Sequence, residues 1–402
     1  MVAHIPEPPS MKQRSSFLLF STALALIVAG CGKQEAASTG GDTIKIGLAA
    51  PLTGTQPHIG LDIKNGTQLG IEELNAQGLE IGGKKVKFEL MAEDDEANPA
   101  KATTVAQKLV DAKVVAVVGH FNSGCSIPAS KVYAEAGIPQ ISPGSTGVRY
   151  TQQGYATTFR VVANDDQQGP AGAAYAINTL KVKNVAIIDD STAYGQGLAG
   201  AFEKSVQAAG VNVLAHEHTT DKDYDFAAIL TSIKDKKPDL IFFGGIDTQA
   251  GPMLKQIKAL DLKTHLMGGD GIQTPALLAQ AGDAAEGTVA SIPGLPKDKM
   301  PGGTVFLNKF KKRFGVEVEL FAPMGYDAVF VLAEAMKKAN STEPAKVLAE
   351  LKKVQFNGVT GPIAFDDKGD LKNGPITINV VKGGKWVPVE TINGGATPAP
   401  AK

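Results

Sequence analysis

Cysteine is nearly absent from this chain: Cys31 and Cys125 are the only two in 402 residues. A disulfide framework is therefore excluded, and core packing has to supply the stability. Net charge of one sign is also missing, since 40 basic residues stand against 41 acidic ones. That balance argues against nucleic-acid binding and against a polybasic membrane contact, both of which need a basic excess. Beyond Ala29 the chain contains no long apolar run. A helix that crosses a bilayer needs about 20 such residues, so no later segment reads as a span.

What is present at the N-terminus is a short apolar core. Lys12 and Arg14 precede Phe17–Phe20, then Ser21-Thr22, then Ala23–Ala29. This core is too short to span but fits a secretory signal. Residues 1–10, with Glu7 and three prolines, make a poor positively charged start, so Met11 stands as a rival first residue. Val28-Ala29-Gly30-Cys31 resembles a bacterial lipoprotein signal. The resemblance implies that Cys31 is lipidated and begins the mature chain. The expected layout is a signal peptide at 1–30 and a tether at 31–42 that holds a soluble region at a membrane through its lipid. An acylated Cys31 leaves Cys125 without an intramolecular partner.

From Thr43 onward, strand and helix patterns alternate. Apolar β-branched runs at 114–119, 184–189 and 239–244 end in small or polar residues, and amphipathic helical stretches separate them. A helix is expected to open at Pro99, another to include Pro128–Ala136, and a third to be capped by Asp165. After Gly287 come another strand, a helix at 325–339, a further helix and two closing strands at 376–381 and 385–389. Such alternation predicts an α/β fold of parallel sheets flanked by helices. Residues 391–402 read as a disordered tail.

Two stretches carry the chemistry: Val117-Val118-Gly119-His120-Phe121-Asn122-Ser123-Gly124 and Gln140-Ile141-Ser142-Pro143-Gly144-Ser145-Thr146. Each is a buried-strand pattern that delivers hydroxyls and glycines to the carboxyl end of a sheet, where ligands of open α/β folds bind. Ser123, Ser145 and Thr146 suit a small carboxylate. No acid, base or nucleophile accompanies them in an arrangement for breaking bonds, so binding without catalysis is expected.

These landmarks resemble, in order, the leucine/isoleucine/valine-binding protein family of ABC amino-acid importers. The resemblance runs through IKIGLAAPLTG, NGTQLGIEELNAQG, GHFNSGCSIPAS, ISPGST, FRVVANDDQQGP, DDSTAYGQGL, FFGG, GDAAEGT and GPIAFDDKGDLKNG, and covers nearly all of residues 43–390. It implies a type I periplasmic-binding-protein fold of two Rossmann-like lobes joined by three hinge crossings. Lobe 1 would hold 43–162 plus 293–376, and lobe 2 would hold 163–292 plus 377–390. It also implies that Ser123 and Thr146 bind the ligand carboxylate, that the Gly144 carbonyl accepts from the ammonium, and that Asp270 pairs with it. Tyr194 would reach across on closure, and Asp165 would support the closed state. Ile59 and Ile246 stand where close family members carry aromatics, which implies a more aliphatic side-chain pocket. The family's first-lobe disulfide is missing, with Ala97 and Asn122 at its two sites.

The implied function is capture of an amino acid, foremost leucine, isoleucine or valine, by an extracytoplasmic monomer that delivers it to ABC permease subunits in the inner membrane. No cofactor, metal or nucleic acid is expected. A sensory module of the same fold, feeding a signalling partner, is the alternative.

Rival signals have plain readings. Gly195-Gln196-Gly197-Leu198-Ala199-Gly200, with Glu217 about 20 residues on, matches a dinucleotide fingerprint. However, Ser191–Tyr194 separate it from its strand, and Asp189 and Asp190 would repel a pyrophosphate. His216 and His218 share one face of a strand and begin a metal site, but no third ligand accompanies them, so a solvated edge is expected. His120 has no acid placed to orient it, and Asp94-Asp95-Glu96 reads as a solvated turn.

Overall fold

The computed structural model describes residues 42–393. The expected signal segment, Cys31, and residues 394–402 of the expected tail lie outside the described residues. One sheet is built from β1 (Asp42–Ala50), β2 (Glu80–Ile81), β3 (Lys84–Asp94), β4 (Ala116–Gly119), β5 (Gln140–Ser142) and β6 (Thr158–Arg160), in the order β2-β3-β1-β4-β5-β6. Its connections include α1 (Pro57–Gln77), α2 (Pro99–Asp111), α3 (Ser123–Glu135) and the short α4 (Arg149–Gln152).

The chain then enters α5 (Asp165–Asn178) and builds a second sheet. Here β7 (Asn184–Asp189), β8 (Asn212–His218), β9 (Leu240–Gly244), β10 (His265–Gly268) and β11 (Val289–Pro293) alternate with α6 (Ala193–Ala208), α7 (Ala227–Lys234), α8 (Asp247–Ala259) and α9 (Pro275–Ala281). Next, α10 (Gly303–Phe314), α11 (Ala322–Ala339), α12 (Pro344–Leu351) and the small hairpin β12 (Phe356–Asn357) and β13 (Pro362–Ile363) return to the first half. Met324, Ala328, Val331 and Met336 of α11 share one core with Ile44 and Ile46 of β1 and Val118 of β4. The chain ends on the second sheet with β14 (Ile376–Lys382) and β15 (Lys385–Ile392). Its order is β15-β14-β11-β10-β9-β7-β8.

The expected α/β fold of parallel-dominated sheets flanked by helices is present, and the structure adds detail to it and amends some element ends. The sheets are mixed, because β2 pairs antiparallel with β3, and β14 pairs antiparallel with β11 and β15. Thr391 and Ile392 belong to β15, not to a tail. Helix α3 starts at Ser123 and carries Pro128 inside it. Asp165 is the first helical residue of α5, and the cap is Asn164, whose backbone N–H donates to Gln167 Oε1 at 3.2 Å. Helix α10 escaped the sequence reading, although Phe306 and Phe310 mark its buried face.

In both sheets the strand order reverses once. The first reverses between β1 and β4, the second between β7 and β9. At such a point successive connections diverge to opposite faces and leave a crevice beyond the strand ends. Residues 51–56 and 120–122 leave the first reversal, and residues 190–192 and 245–246 leave the second.

Within the first half, α1 and α11 pack closely enough that a Cβ on Gly66 would lie 2.0 Å from the Ala322 carbonyl oxygen. Asp62 of α1 fastens this contact. Its carboxylate accepts the backbone N–H groups of Glu319, Leu320, Phe321 and Ala322 at 2.8–3.1 Å, at the entry to α11. Asp62→Ala should strand these donors in a buried site and lower unfolding free energy by about 3 kcal/mol. Urea denaturation checks this, and a midpoint equal to the parent's would contradict it.

Candidate functional site

The loops from both reversals meet around a cavity of about 550 Å³. Gln56, Asn122, Gly124 and Ile127 line it from the first half, and Asp190, Thr192, Tyr194 and Ile246 from the second. Binding sites for small molecules fall in this range of size and have this mix of apolar wall and few polar groups.

Behind Tyr194 lies a buried acidic cluster. Asp270 directly follows the Gly269 that ends the β10 turn, and its Oδ1 accepts the Gln168 amide at 2.8 Å and the Tyr194 hydroxyl at 3.0 Å. The Gly271 N–H in turn donates to the Tyr194 oxygen at 3.0 Å. Asp165 Oδ1 lies 3.4 Å from the same Gln168 nitrogen. Burial pushes the Asp270 carboxyl up to about 6, against the stabilising bonds from Gln168 and Tyr194. Burial first, and then the Asp270 charge, push Asp165 up to about 7. Two carboxylates so placed favour a cation between or beside them. Among the described residues, Gln168 Oε1 is buried with no hydrogen-bond partner, while the Thr146 hydroxyl acts on the Asp165 carboxyl and tempers its raised pKa. A buried polar atom left unpaired, as Gln168 Oε1 is, points to a polar occupant.

The hydroxyl residues sit on the first half. Ser123 opens α3, where free N–H groups and the helix dipole favour an anion. Its Oγ accepts the Gly147 N–H at 3.0 Å, which leaves its own proton to donate. Thr146 joins this shelf to the acidic cluster, because its carbonyl accepts the Asp165 N–H at 3.0 Å. Ser145 is turned inward instead, with its hydroxyl bonded to Ser126 and to the Phe121 carbonyl at 2.8 Å. Gly144 is buried against Phe121, and a Cβ there would lie 2.4 Å from that ring.

Ile246 lines the cavity. Ile59, expected on the same wall, instead packs in the core with Leu48, Ile63, Phe121 and Phe321. The first turn of α1 lays it onto the end of β1, within the same cluster as Phe121.

Three supporting residues escaped the sequence reading. Gln168 stands three positions after Asp165, a spacing that shares one helix face and was the available signal. Arg160 is buried at the end of β6 and donates to the carbonyls of Ser145 (2.6 Å) and Gly147 (3.0 Å), fixing the loop that carries Thr146. A lone arginine inside an apolar run was its signal. His58 of α1 reaches across to the second half, where its Nε2 lies 2.9 Å from Oδ2 of the buried Asp247. Nothing local in the sequence announces that pair.

The rival motifs resolve into packing. A Cβ on Gly195 would lie 2.1 Å from Asp190 Oδ1 and 2.3 Å from the Gly244 carbonyl, so the glycine serves close approach of α6 to the sheet. His120 does have an orienting acid, contrary to expectation: Asp95 Oδ2 lies 2.7 Å from its Nδ1. Asp95 is therefore buried rather than solvated. The other ring nitrogen faces the Tyr133 hydroxyl at 3.2 Å, so the arrangement braces the loop after β4 and presents no nucleophile. Cys125 is buried in α3, where burial raises its thiol pKa.

Two mixed sheets, with reversals that face one cavity over a buried acid cluster, define a two-lobed ligand-binding architecture. Residues 43–385 match the periplasmic binding protein family, and the chain belongs to it. It is 36% identical over 356 residues to Leu/Ile/Val-binding protein homolog 1 of Brucella suis biovar 1, covering 88% of this chain and 93% of that protein. It is 33% identical over 354 residues to the leucine-, isoleucine-, valine-, threonine-, and alanine-binding protein of Pseudomonas aeruginosa, with coverage of 88% and 93%. Its fold is similar to that of the branched-chain amino acid transporter substrate binding protein LivJ from Streptococcus pneumoniae in complex with isoleucine. That structure has a TM-score of 0.79 and 28% identity, with 88% of this chain and 100% of that chain covered.

The His58–Asp247 pair makes contact between the halves depend on pH. Its hydrogen bond to Asp247 raises the His58 pKa from 6.5. A raised histidine pKa means that the contribution is complete below 6.5 and disappears as pH climbs through the raised value. His58→Gln should therefore destabilise the protein by on the order of 1 kcal/mol at acid pH and by much less at alkaline pH. Denaturation of both proteins across that range checks it, and a difference that grows with pH would contradict it.

Proposed function

We propose that this chain is the extracytoplasmic substrate-binding component of an amino-acid ABC importer, and that it holds an apolar α-amino acid between two lobes. The observation that carries the reading is Asp270, a carboxylate buried behind the cavity wall and held by Gln168 and Tyr194. An α-ammonium is the ligand group that such a carboxylate prefers. The N-terminus of α3, with Ser123 and Thr146, offers the complementary place for the α-carboxylate. Ile246 and Ile127 on the wall suit an aliphatic side chain. The names of the relatives from Brucella and Pseudomonas, and the isoleucine held by the streptococcal protein, support leucine, isoleucine or valine as that side chain.

The lobes of this reading are 43–162 plus 293–376 and 163–292 plus 377–390. Ser123 and Thr146 fall in one and Asp270 and Tyr194 in the other, so a zwitterionic ligand contacts both. It thereby stabilises the closed form over the open one, which is the differential interaction that a population shift requires. The role is binding and delivery, without a catalytic step. Lipidation of Cys31 and a monomeric state complete the proposal, the anchor holding the domain near its permease.

Binding an ammonium draws Asp270 into its ionised form. Affinity should therefore rise with pH up to about 6 and then level off, with proton release on binding below that value. Asp270→Ala should remove most of the affinity, about 3–5 kcal/mol, by leaving the ammonium without its partner. Thermal-shift screening against the twenty amino acids, followed by calorimetry in two buffers, measures all three. Near-parental binding by the variant would refute the assignment.

A further inference from the structure

We infer that the second half carries a Zn²⁺ site of its own, formed by Asp189, His216 and His218 and apart from the amino-acid cavity. His216 and His218 lie two residues apart on β8, so both imidazoles leave the same face of the strand. The third ligand, which the sequence does not announce, comes from the neighbouring strand. In the parallel register of β7 and β8, Asp189 sits beside His218 and Ile187 beside His216. That alignment brings the Asp189 carboxylate to both rings. Its Oδ2 is 2.8 Å from His216 Nε2 and 2.8 Å from His218 Nδ1, and one ligand atom from each residue lies within 4.8 Å of the other two.

The surroundings fit a metal better than a hydrogen-bonded trio alone. Glu203 of α6, which covers this face, accepts from His216 Nδ1 at 2.8 Å. A carboxylate on the far ring nitrogen is the usual device that orients a metal-binding histidine and fixes its tautomer. His216 thus lies between two carboxylates, and a divalent cation takes the place of the proton between Nε2 and Asp189. Asp189 Oδ1 is itself held by the Ser191 N–H at 2.9 Å, so the carboxylate is fixed before any ion arrives. Asp189 is 1% exposed, His216 23% and His218 60%, so the site is anchored inside and open outside. Two imidazoles and one carboxylate select Zn²⁺ over Ca²⁺ or Mg²⁺, which take all-oxygen sets, and leave a fourth position for water. Tetrahedral Zn²⁺ with bonds of about 2.0–2.1 Å needs its ligand atoms about 3.3 Å apart. Both imidazoles stand 2.8 Å from Asp189 Oδ2, so each has to retreat by about 0.5 Å, the exposed His218 freely and His216 by a slight turn about its Glu203 contact.

The test uses the untagged chain, stripped with chelator, titrated with Zn²⁺ by calorimetry and with Co²⁺ as a spectroscopic probe. Expected are one equivalent bound, visible bands of tetrahedral Co²⁺, and no thiolate charge-transfer band, which excludes Cys31 and Cys125 as ligands. His218→Gln, at the exposed ligand, and His216→Gln should each abolish the tetrahedral spectrum. Their unfolding midpoints in chelator serve as the folding control. Glu203→Gln should weaken Zn²⁺ about 10–100-fold while keeping the spectrum. Absence of stoichiometric Zn²⁺ binding by the parent overturns the inference, as does binding that survives in the double histidine variant. Both readouts are independent of any amino-acid ligand.

Discussion

A carboxylate buried against a second carboxylate is a standing electrostatic debt, and the site is organised around it. Desolvation lifts Asp270 from 3.8 to about 6 and Asp165 to about 7. For Asp270 alone that is about 3 kcal/mol of disfavoured ionisation. Gln168 and Tyr194 each lend a hydrogen bond to one oxygen and so reduce the penalty without removing it. A ligand that brings a positive charge gains what the protein forgoes in its absence. Such an arrangement provides affinity that depends on charge as well as shape.

The fold makes this possible by using its strand-order reversals twice. Each sheet opens its crevice where connections diverge, and the loops that leave both crevices line one cavity. Backbone geometry therefore presents a helix N-terminus and hydroxyls from one half, and an acid with its tyrosine from the other. In the proposed binding mode, opposite ends of a zwitterion meet different halves, so that occupancy would favour closure. The His58–Asp247 pair adds a second, ligand-independent link between the same halves. Asp62 and Arg160 act earlier in this chain of causes: one clamps α1 to α11, the other holds the carbonyls of the loop that ends in Thr146 and Gly147.

Much of this was legible because strand-end loops have a local signature. Ser123, Thr146, Tyr194 and Asp270 all lie where an apolar run stops, and their place beyond the strand ends follows from that pattern. What stayed hidden were pairings between distant segments. Asp95 with His120, His58 with Asp247, and Asp189 with His216 and His218 each join residues whose proximity depends on register or packing, not on spacing. Ile59 shows the opposite failure. Its place on the first turn of α1 was visible, but whether that turn faces core or cavity is decided by Phe121 and Phe321, which no local pattern specifies. Ser145 failed for a related reason, since a hydroxyl in a polar loop can satisfy the loop itself as well as a ligand.

The property proposed for the site is recognition of an ammonium group. Titration of leucine and of 4-methylpentanoate, the same carbon skeleton without the amino group, tests it most directly at neutral pH. Leucine should bind, and the acid should bind at least about 100-fold more weakly, since it offers nothing to Asp270. Comparable affinities, or binding of the acid alone, would contradict it.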